Sequence, residues 1–374
     1  MCFVACAVRA VPCLFAPALR RSSGAQLLLH AGQIINAAVG PIVMSSPSLL
    51  SALWFPPHMR ATATSVAYLG GNFGGAVGFL LGPYTIADSG DNVPLFLLVE
   101  LLMASIPMLL FAFHCPIPHE SKSDEPSMSS LQAPGICIPS ASNTPLPHPA
   151  PKSAICSFLS PLQRLLALPS LLLLCVCGGV QAGASSAWSG VLPQMLPSPR
   201  FSSVFIGWLG FAFSIGGVVG NAGAGVVADI WFVNCYKTFL FWVFMISAAC
   251  FALFTLSLDN PFISPAPIPS SPASIMIIGT LAGVFQSACD PLFYELAAEI
   301  SFPLEEGTSA SLIAFLFNAA TLIMLFVAPA ISLTLFNTIM TATMLICALG
   351  VCFSKESYPR RAAALARANN MAVN

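Results

Sequence analysis

Charge is what this chain of 374 residues has least of. Asp, Glu, Lys and Arg make up 7% of it and hydrophobic residues 57%, whereas a soluble globular domain carries about 25% charge. So few charges cannot keep a folded surface in water, and the composition places the chain in a lipid bilayer. The net charge of −1 leaves no basic field to attract phosphates, which excludes a nucleic-acid partner. Enzyme signatures are missing as well: there is no G-x-S-x-G, no H-E-x-x-H and no phosphate loop, and the five histidines are scattered. No enzyme is expected. Cysteine is plentiful at thirteen residues, yet no pair has C-x-x-C spacing and no Cys/His cluster has zinc spacing. Most of the cysteines lie inside apolar runs, where a thiol serves as a small apolar side chain. Neither a metal nor a cofactor is expected.

What the chain has in abundance is apolar runs of membrane-crossing length. Residues 1–19 are apolar but interrupted by Arg9 and Pro12, which suits the second half of a helix better than a complete span. Gln26 to Trp54, Ala61 to Ile86 and Val93 to Phe113 follow. Six more lie at approximately Leu165–Trp188, Phe205–Ala228, Lys237–Leu258, Ser274–Ala298, Thr308–Leu333 and Phe336–Phe353. Between the two groups, proline, serine and charge replace leucine and phenylalanine, a composition that cannot bury enough apolar surface to fold alone. The expected organisation is an amino-terminal helix bundle over 1–113, a disordered cytosolic linker over 114–163, a carboxy-terminal six-helix bundle over 164–354 and a cytosolic tail over 355–374. With the chain starting in the cytosol, cytosolic loops hold Arg60, Lys122, Lys152, Arg164, Lys237, Lys355, Arg360, Arg361 and Arg367 against Arg20, Arg21 and Arg200 outside. That asymmetry obeys the positive-inside rule.

The stretch SPSLLSALWFPPHMRATATSVAYLGGNFGGAVGFLLGP, residues 46–83, combines a helix end, a charged turn and a glycine-rich helix. Pro56 and Pro57 stop the first helix because proline lacks the amide donor and restricts the residue before it. His58 and Arg60 stand in the gap, at a membrane surface. Gly70, Gly74 and Gly78, with Gly71 and Gly75 beside them, strip one face of the next helix so that another helix can approach. Asn72 lies about 17 Å into that helix, near the bilayer midplane, where an amide needs a pocket or a helix-helix hydrogen bond. The hinge has an echo: Phe302-Pro303, Glu306 and Thr308 repeat the order Phe55-Pro56, charge, Thr62. The two hinges are six helices apart, as in a transporter built from two six-helix repeats. In the second half, Gln286 and Asp290 share a helix face, with Glu295 and Glu299 further on. Asp290 lies about 24 Å into its helix, so it either titrates behind a gate or forms an interfacial salt bridge.

The segments ALWFPPHMRATATS, LGGNFGGAVGFLLGP, SSAWSGVLPQML, IGWLGFAFSIGGVVGN and DPLFYELAAEISFPLEEGTSA resemble those of the solute carrier 49 family, in the major facilitator superfamily. The resemblance covers nearly everything except the linker. It implies an all-α polytopic membrane protein, a six-plus-six helix bundle with a central cavity that works by alternating access. It further implies a monomeric secondary transporter of a small organic solute, a pyridoxine-like vitamin or choline and ethanolamine, in the plasma membrane or a lysosomal or vacuolar membrane. Export of haem or another metabolite, or a non-transporting receptor or scaffold, are the alternatives.

Matched residue by residue, Asn72 stands where part of the family has a cavity glutamine. Asn318, about 15 Å into its helix, follows the EGTS motif and stands at a second cavity amide, so both are substrate-binding candidates; for each, a helix-helix hydrogen bond is the other reading. Trp188 offers either an aromatic wall to an ammonium or pyridine ring or an interfacial belt residue. Asp229 and Lys237, in GVVADIWFVNCYK, match the superfamily's Gly-x-x-x-Asp latch with its downstream base. Arg60, Asp290 and Glu295 complete the gating and coupling candidates. Counted from the family's hinge, the segment over 26–54 is helix four and residues 1–19 end helix three. On that count the amino half is expected to be incomplete, and the chain to be an amino-terminally truncated gene model or a pseudogene product that transports poorly or not at all.

Overall fold

The structure is a computed structural model that describes residues 2–11, 23–56, 59–85, 92–113, 163, 165, 167–196, 201–258, 268, 271–302 and 306–363. Four helices come first: α1 (Cys2–Ala10), α2 (Ser23–Trp54), α3 (Arg60–Thr85) and α4 (Val93–Phe113). Then follow α5 (Pro169–Met195), α6 (Ser203–Ile230), α7 (Tyr236–Leu256), α8 (Pro272–Ser287), α9 (Cys289–Ser301), α10 (Glu306–Val327) and α11 (Leu333–Phe353). No strand occurs among the described residues. The linker expected over 114–163 lies outside them except for Gln163, as do the end of the tail from residue 364 and His58 of the hinge.

Local chemistry sets the helix starts. Ser202, Ser271 and Ser332 each precede a helix and accept a hydrogen bond from a backbone N–H three residues on, at Phe205, Ser274 and Leu335, which satisfies one of the donors a helix start leaves open. Helices α8 and α9 form one membrane-length element, Pro272–Ser301, interrupted at Ala288. The break follows from Pro291, which has no N–H to return to the carbonyl of Ser287. Among the described residues, seven elements are long and apolar enough to cross a membrane: α4, α5, α6, α7, the α8–α9 pair, α10 and α11. Of the other two expected spans, α2 is 32 residues long and α3 is 26, and α3 falls short of that measure. In α3 the reason is compositional, because Asn72 and the glycine stripe dilute its hydropathy.

Arg9, the charge inside the first apolar segment, is accommodated by polar partners. Its Nη2 lies 3.2 Å from Glu100 Oε2 on α4 and its Nη1 donates to Gln33 Oε1 on α2 at 3.2 Å. This is how a bilayer-embedded guanidinium is made tolerable. The core of α5–α11 is aromatic: Trp188, Tyr236, Phe244, Phe251, Phe254, Phe293 and Phe336 are all fully buried.

Two seams join the first four helices to the rest, α3 against α6 and α9, and α2 against α10. Along the first seam α3 and α6 run antiparallel in a fixed register. Thr62 meets Asp229 at one end, Asn72 faces Gly217 midway, Phe79 lies on Gly210, and Tyr84 accepts a hydrogen bond from Trp208 Nε1 at 3.2 Å near the other end. The close approach uses the glycines of α6, not those of α3. A Cβ at Gly210 would sit 2.3 Å from the Phe79 ring, whereas Gly70, Gly71, Gly74, Gly75 and Gly78 have nothing within 4 Å of that position. The stripe expected to receive a helix is therefore open in this structure, and Gly71 and Gly75 line a cavity.

Candidate functional site

That cavity, about 380 Å³, lies between the two groups of helices and is lined from α2, α3, α5, α6, α8, α9 and α10. Its polar groups are Asn72 and Tyr68 from α3, four serines from α5 and α6, Gln286 and Ser287 from the end of α8, and Asp290 and Tyr294 from α9. The break at Ala288 is what turns Gln286, Ser287 and Asp290 toward one space. Phe79, Phe213, Phe293 and Phe317 supply apolar wall.

Several of these groups have hydrogen-bonding capacity to spare. Asn72 Nδ2 and Asp290 Oδ1 are buried without a hydrogen-bond partner. Gln286 accepts two bonds, its backbone carbonyl from Gln181 Nε2 at 3.3 Å and its Oε1 from Ser287 Oγ at 3.1 Å. Behind it, the Oε1 of buried Gln181 has no partner. Tyr68 and Tyr294 bring their rings to 5.3 Å with a 33° tilt across the α3–α9 contact. Asp290 is the only charged residue on the lining among the described residues. An unpaired donor and an unpaired acceptor in a space with an aromatic wall can receive a small polar organic molecule.

The structure divides the residues expected at a substrate site. Asn72 is on the lining. Asn318 is not: Ile313 and Phe317 of α10 face the cavity, and the next position is rotated about 100° off that face. Its Nδ2 donates to the Ala314 carbonyl of its own helix at 2.7 Å. Trp188 does not line the cavity either. It is enclosed by Phe213, Phe251 and Phe254, with ring centroids 5.2, 5.4 and 5.3 Å away, and its Nε1 donates to Asn337 Oδ1 at 2.7 Å. Its ring is thus core, neither a cavity wall nor an interfacial anchor.

The gating candidates fall into two clusters on the side of the bundle that carries the segment after α11, the tail side. Asp229 Oδ2 accepts from the backbone N–H and the hydroxyl of Thr62 at 3.0 and 2.8 Å, and its Oδ1 accepts from Tyr236 OH at 3.3 Å. Lys237 does not meet it. Its ammonium donates to the carbonyls of Cys352 and Ser354 at 2.6 and 2.9 Å, closing the end of α11. Arg60 Nε donates to the Phe55 carbonyl at 3.1 Å, bracing the hinge. Glu295 pairs with Arg360 at 2.8 Å. Sequence reasoning missed Thr62, Tyr68, Tyr294 and the tail arginines. Tyr294 was within reach, one helical turn beyond Asp290 on the same face.

No family model matches the chain. Among curated proteins it is 29% identical over 346 residues to the Solute carrier family 49 member 4 homolog of Xenopus tropicalis, covering 89% of this chain and 71% of that one. It is 30% identical over 283 residues to Solute carrier family 49 member A3 of Danio rerio, covering 75% and 52%. It is 26% identical over 289 residues to the Choline/ethanolamine transporter FLVCR1 of Felis catus, covering 75% and 47%, so the chain spans about half the length of these last two. Among solved structures it superposes on the E. coli fucose:proton symporter FucP with a TM-score of 0.58 at 12% identity, over 95% of this chain and 83% of that one. It superposes on a bacterial homologue of ferroportin in its outward-facing state with a TM-score of 0.53 at 13% identity, over 94% and 80%.

Proposed function

The chain is a homologue of the solute carrier 49 transporters with a major facilitator fold, and on that premise we propose that it carries a small organic solute bearing an amine or pyridine nitrogen, pyridoxine-like or of the choline and ethanolamine kind. The observation that carries the reading is Asp290. Among the described residues it is the one charge on the cavity lining, with Oδ1 unpaired and with Tyr68 and Tyr294 beside it. A carboxylate next to aromatic faces suits a cationic or protonated nitrogen by Coulomb attraction and by cation-π contact. Asn72 supplies the donor for a hydroxyl or ring substituent.

Transport follows by alternating access about the two seams. The charge asymmetry of the loops puts the tail side in the cytosol. There the Thr62–Asp229 bonds close the α3–α6 seam, and the Tyr68–Tyr294 pair closes the space above it. The opposite end of the same seam is closed by Phe79 and Tyr84 of α3, which meet Gly210 and Trp208 of α6. Opening one end while the other stays shut moves the cavity between the two faces of the membrane. Asp290, reached from the cavity, is the group to carry a coupled proton.

The test is uptake of labelled pyridoxine, choline and ethanolamine by proteoliposomes holding the purified chain. At least one should accumulate, and Asp290→Asn should reduce its uptake at least tenfold with unchanged reconstitution. Movement of none of them, or conversion of a substrate without movement, would overturn the reading.

A further inference from the structure

The segment after α11 turns back onto the bundle, and its arginines close on two carboxylates that the cavity does not use. Glu295 and Glu299 lie one turn apart on α9 and are 2% and 1% exposed. Arg360 Nη2 is 2.8 Å from Glu295 Oε1, and its Nε is 3.6 Å from Glu299 Oε1. Arg361 adds its Nε at 3.5 Å from Glu299 Oε1 and its backbone N–H to Glu299 Oε2 at 3.3 Å. Two carboxylates so close and so dry cannot both stay ionised without cations against them. The cations come only from the returning segment, because Arg360 and Arg361 are the bases paired with these acids among the described residues.

The segment is seated by further bonds. Glu356 Oε1 accepts from the Lys237 N–H at 3.0 Å, and Tyr358 OH accepts from the Tyr236 N–H at 2.9 Å, so both satisfy open donors at the start of α7. From there the contacts run in two directions. The Arg361 guanidinium lies 4.8 Å over the Tyr236 ring and donates to its hydroxyl. That hydroxyl donates to Asp229, which holds Thr62 of α3. Along α9, the helix the arginines grip carries Asp290 and Tyr294 on the cavity.

We propose that residues 356–361 form a strut that holds the tail-side gate shut, Arg360 and Arg361 acting as positioning residues through α9 and through Tyr236. By fixing the lower half of α9 the strut keeps Tyr294 against Tyr68. By bracing Tyr236 it keeps Asp229 turned to Thr62. The proposal rests on the alternating-access reading for its purpose, but its test needs no substrate.

The experiment is thiol accessibility of the cavity. Ser214→Cys, on the lining, is labelled in membrane vesicles with a membrane-impermeant maleimide added to the side the tail occupies. Mass spectrometry of the peptide that holds residue 214 reads the modification apart from other cysteines. Adding Arg360→Gln and Arg361→Gln should raise the labelling rate at least tenfold from the tail side and lower it from the opposite side. Exchanging the charges, Glu295→Arg with Arg360→Glu, should bring the rate back toward that of the parent. A rate within twofold of the parent in folded Arg360→Gln/Arg361→Gln protein would overturn the strut. If that variant does not fold, Arg361→Lys and Tyr236→Phe, which leave the Arg360 pairs with Glu295 and Glu299 in place and keep a cation at position 361, decide: a rise of threefold or more supports the proposal and an unchanged rate sinks it. Uptake assayed in parallel separates the two claims, since tail-dependent labelling in a chain that moves no solute leaves the strut standing and removes the transport reading.

Discussion

Thr62 and Asp229 are 167 positions apart and share one carboxylate oxygen, which takes both the backbone N–H and the hydroxyl of the threonine. Thr62 is in the first turn of α3, so the aspartate at the end of α6 caps α3 from another helix. There the open N–H groups and the positive end of the helix dipole favour an anion. A bond of this kind to a charged group contributes about 1–3 kcal/mol. It also fixes which residues of the two helices meet, because everything further along the seam follows in register.

The first prediction is a graded loss at that cap. Asp229→Asn keeps an acceptor but removes the charge, and Thr62→Val removes the hydroxyl while leaving the backbone bond. Both should lower the thermal midpoint of the detergent-solubilised protein, Asp229→Ala most, by the loss of about 1–3 kcal/mol. The Thr62→Val and Asp229→Ala effects should not add, since they share a bond. Full additivity in a double-mutant cycle would mean the contact contributes nothing.

Asp290 and Glu295 are one turn and a residue apart on α9 but in different settings. Asp290 faces the cavity with an unpaired oxygen, while Glu295 is held by Arg360. Asp290→Asn should flatten the pH dependence of the uptake that remains and lower exchange with it, because the same carboxylate is the one proposed to hold the solute. Glu295→Gln should preserve the shape of the pH profile and change its amplitude, because it unseats the strut. A flattened profile from Glu295→Gln alone would exchange the two roles.

How much of this was legible in the sequence depends on what each inference needed. Hydropathy runs and proline stops gave the helices, because the bilayer requires length and apolarity and both are local. Position along a helix was legible too, since for Asn72 and Asn318 it follows from the helical rise alone. Rotation about the helix axis was not, since Asn318 and its cavity-facing neighbour Phe317 are equally compatible with every run of α10. Glycine identity misled in the same way. Gly70 and Gly74 looked like a docking face, yet the crowded glycines are Gly207 and Gly210 on the opposing helix, whose partner rings sit over a hundred positions away. The tail arginines read as surface charge because nothing local says that a chain leaving a membrane helix will turn back to two buried acids.

Between α6 and α8 the backbones themselves touch. A Cβ at Gly220 would lie 1.9 Å from the Val284 carbonyl oxygen, and no side-chain rotation can relieve a clash with backbone. Gly220→Ala should therefore push the helices apart and cost about 1–3 kcal/mol, seen as a lower thermal midpoint and lower yield. Gly223→Ala, three residues on with nothing within 4 Å, should be neutral and serves as the control. Equal midpoints for the two variants would refute the close contact.

Tyr358 ties the strut to alkaline pH. Burial, reinforced by its hydrogen bond to Glu356, pushes its phenol well above the ordinary value, which is about 10. The folded state thus holds the proton more tightly than the unfolded state does. The resulting stabilisation is fully present below about pH 10 and declines as pH rises past the unfolded value. Tail-side labelling at Ser214→Cys should rise above about pH 10, once corrected for the reagent's own pH dependence with free cysteine. A flat corrected profile up to pH 11 would show that the phenol does not hold the segment.

The last prediction separates the two amides that depth alone had paired. Asn72 has its Nδ2 unpaired on the cavity, so Asn72→Ala removes a donor that only a solute can use. It should cut uptake at least tenfold and leave the thermal midpoint unmoved, because no internal bond is lost. Asn318 spends its amide on the Ala314 carbonyl of its own helix, which that carbonyl can do without. Asn318→Ala should therefore change uptake less than twofold. Asn72→Gln is the informative third variant. It lengthens the side chain by one methylene in a cavity of about 380 Å³, keeps the donor, and should retain uptake with an altered KM. If Asn318→Ala abolishes uptake and Asn72→Ala does not, the solute sits against α10 and the site drawn around Asp290 is wrong.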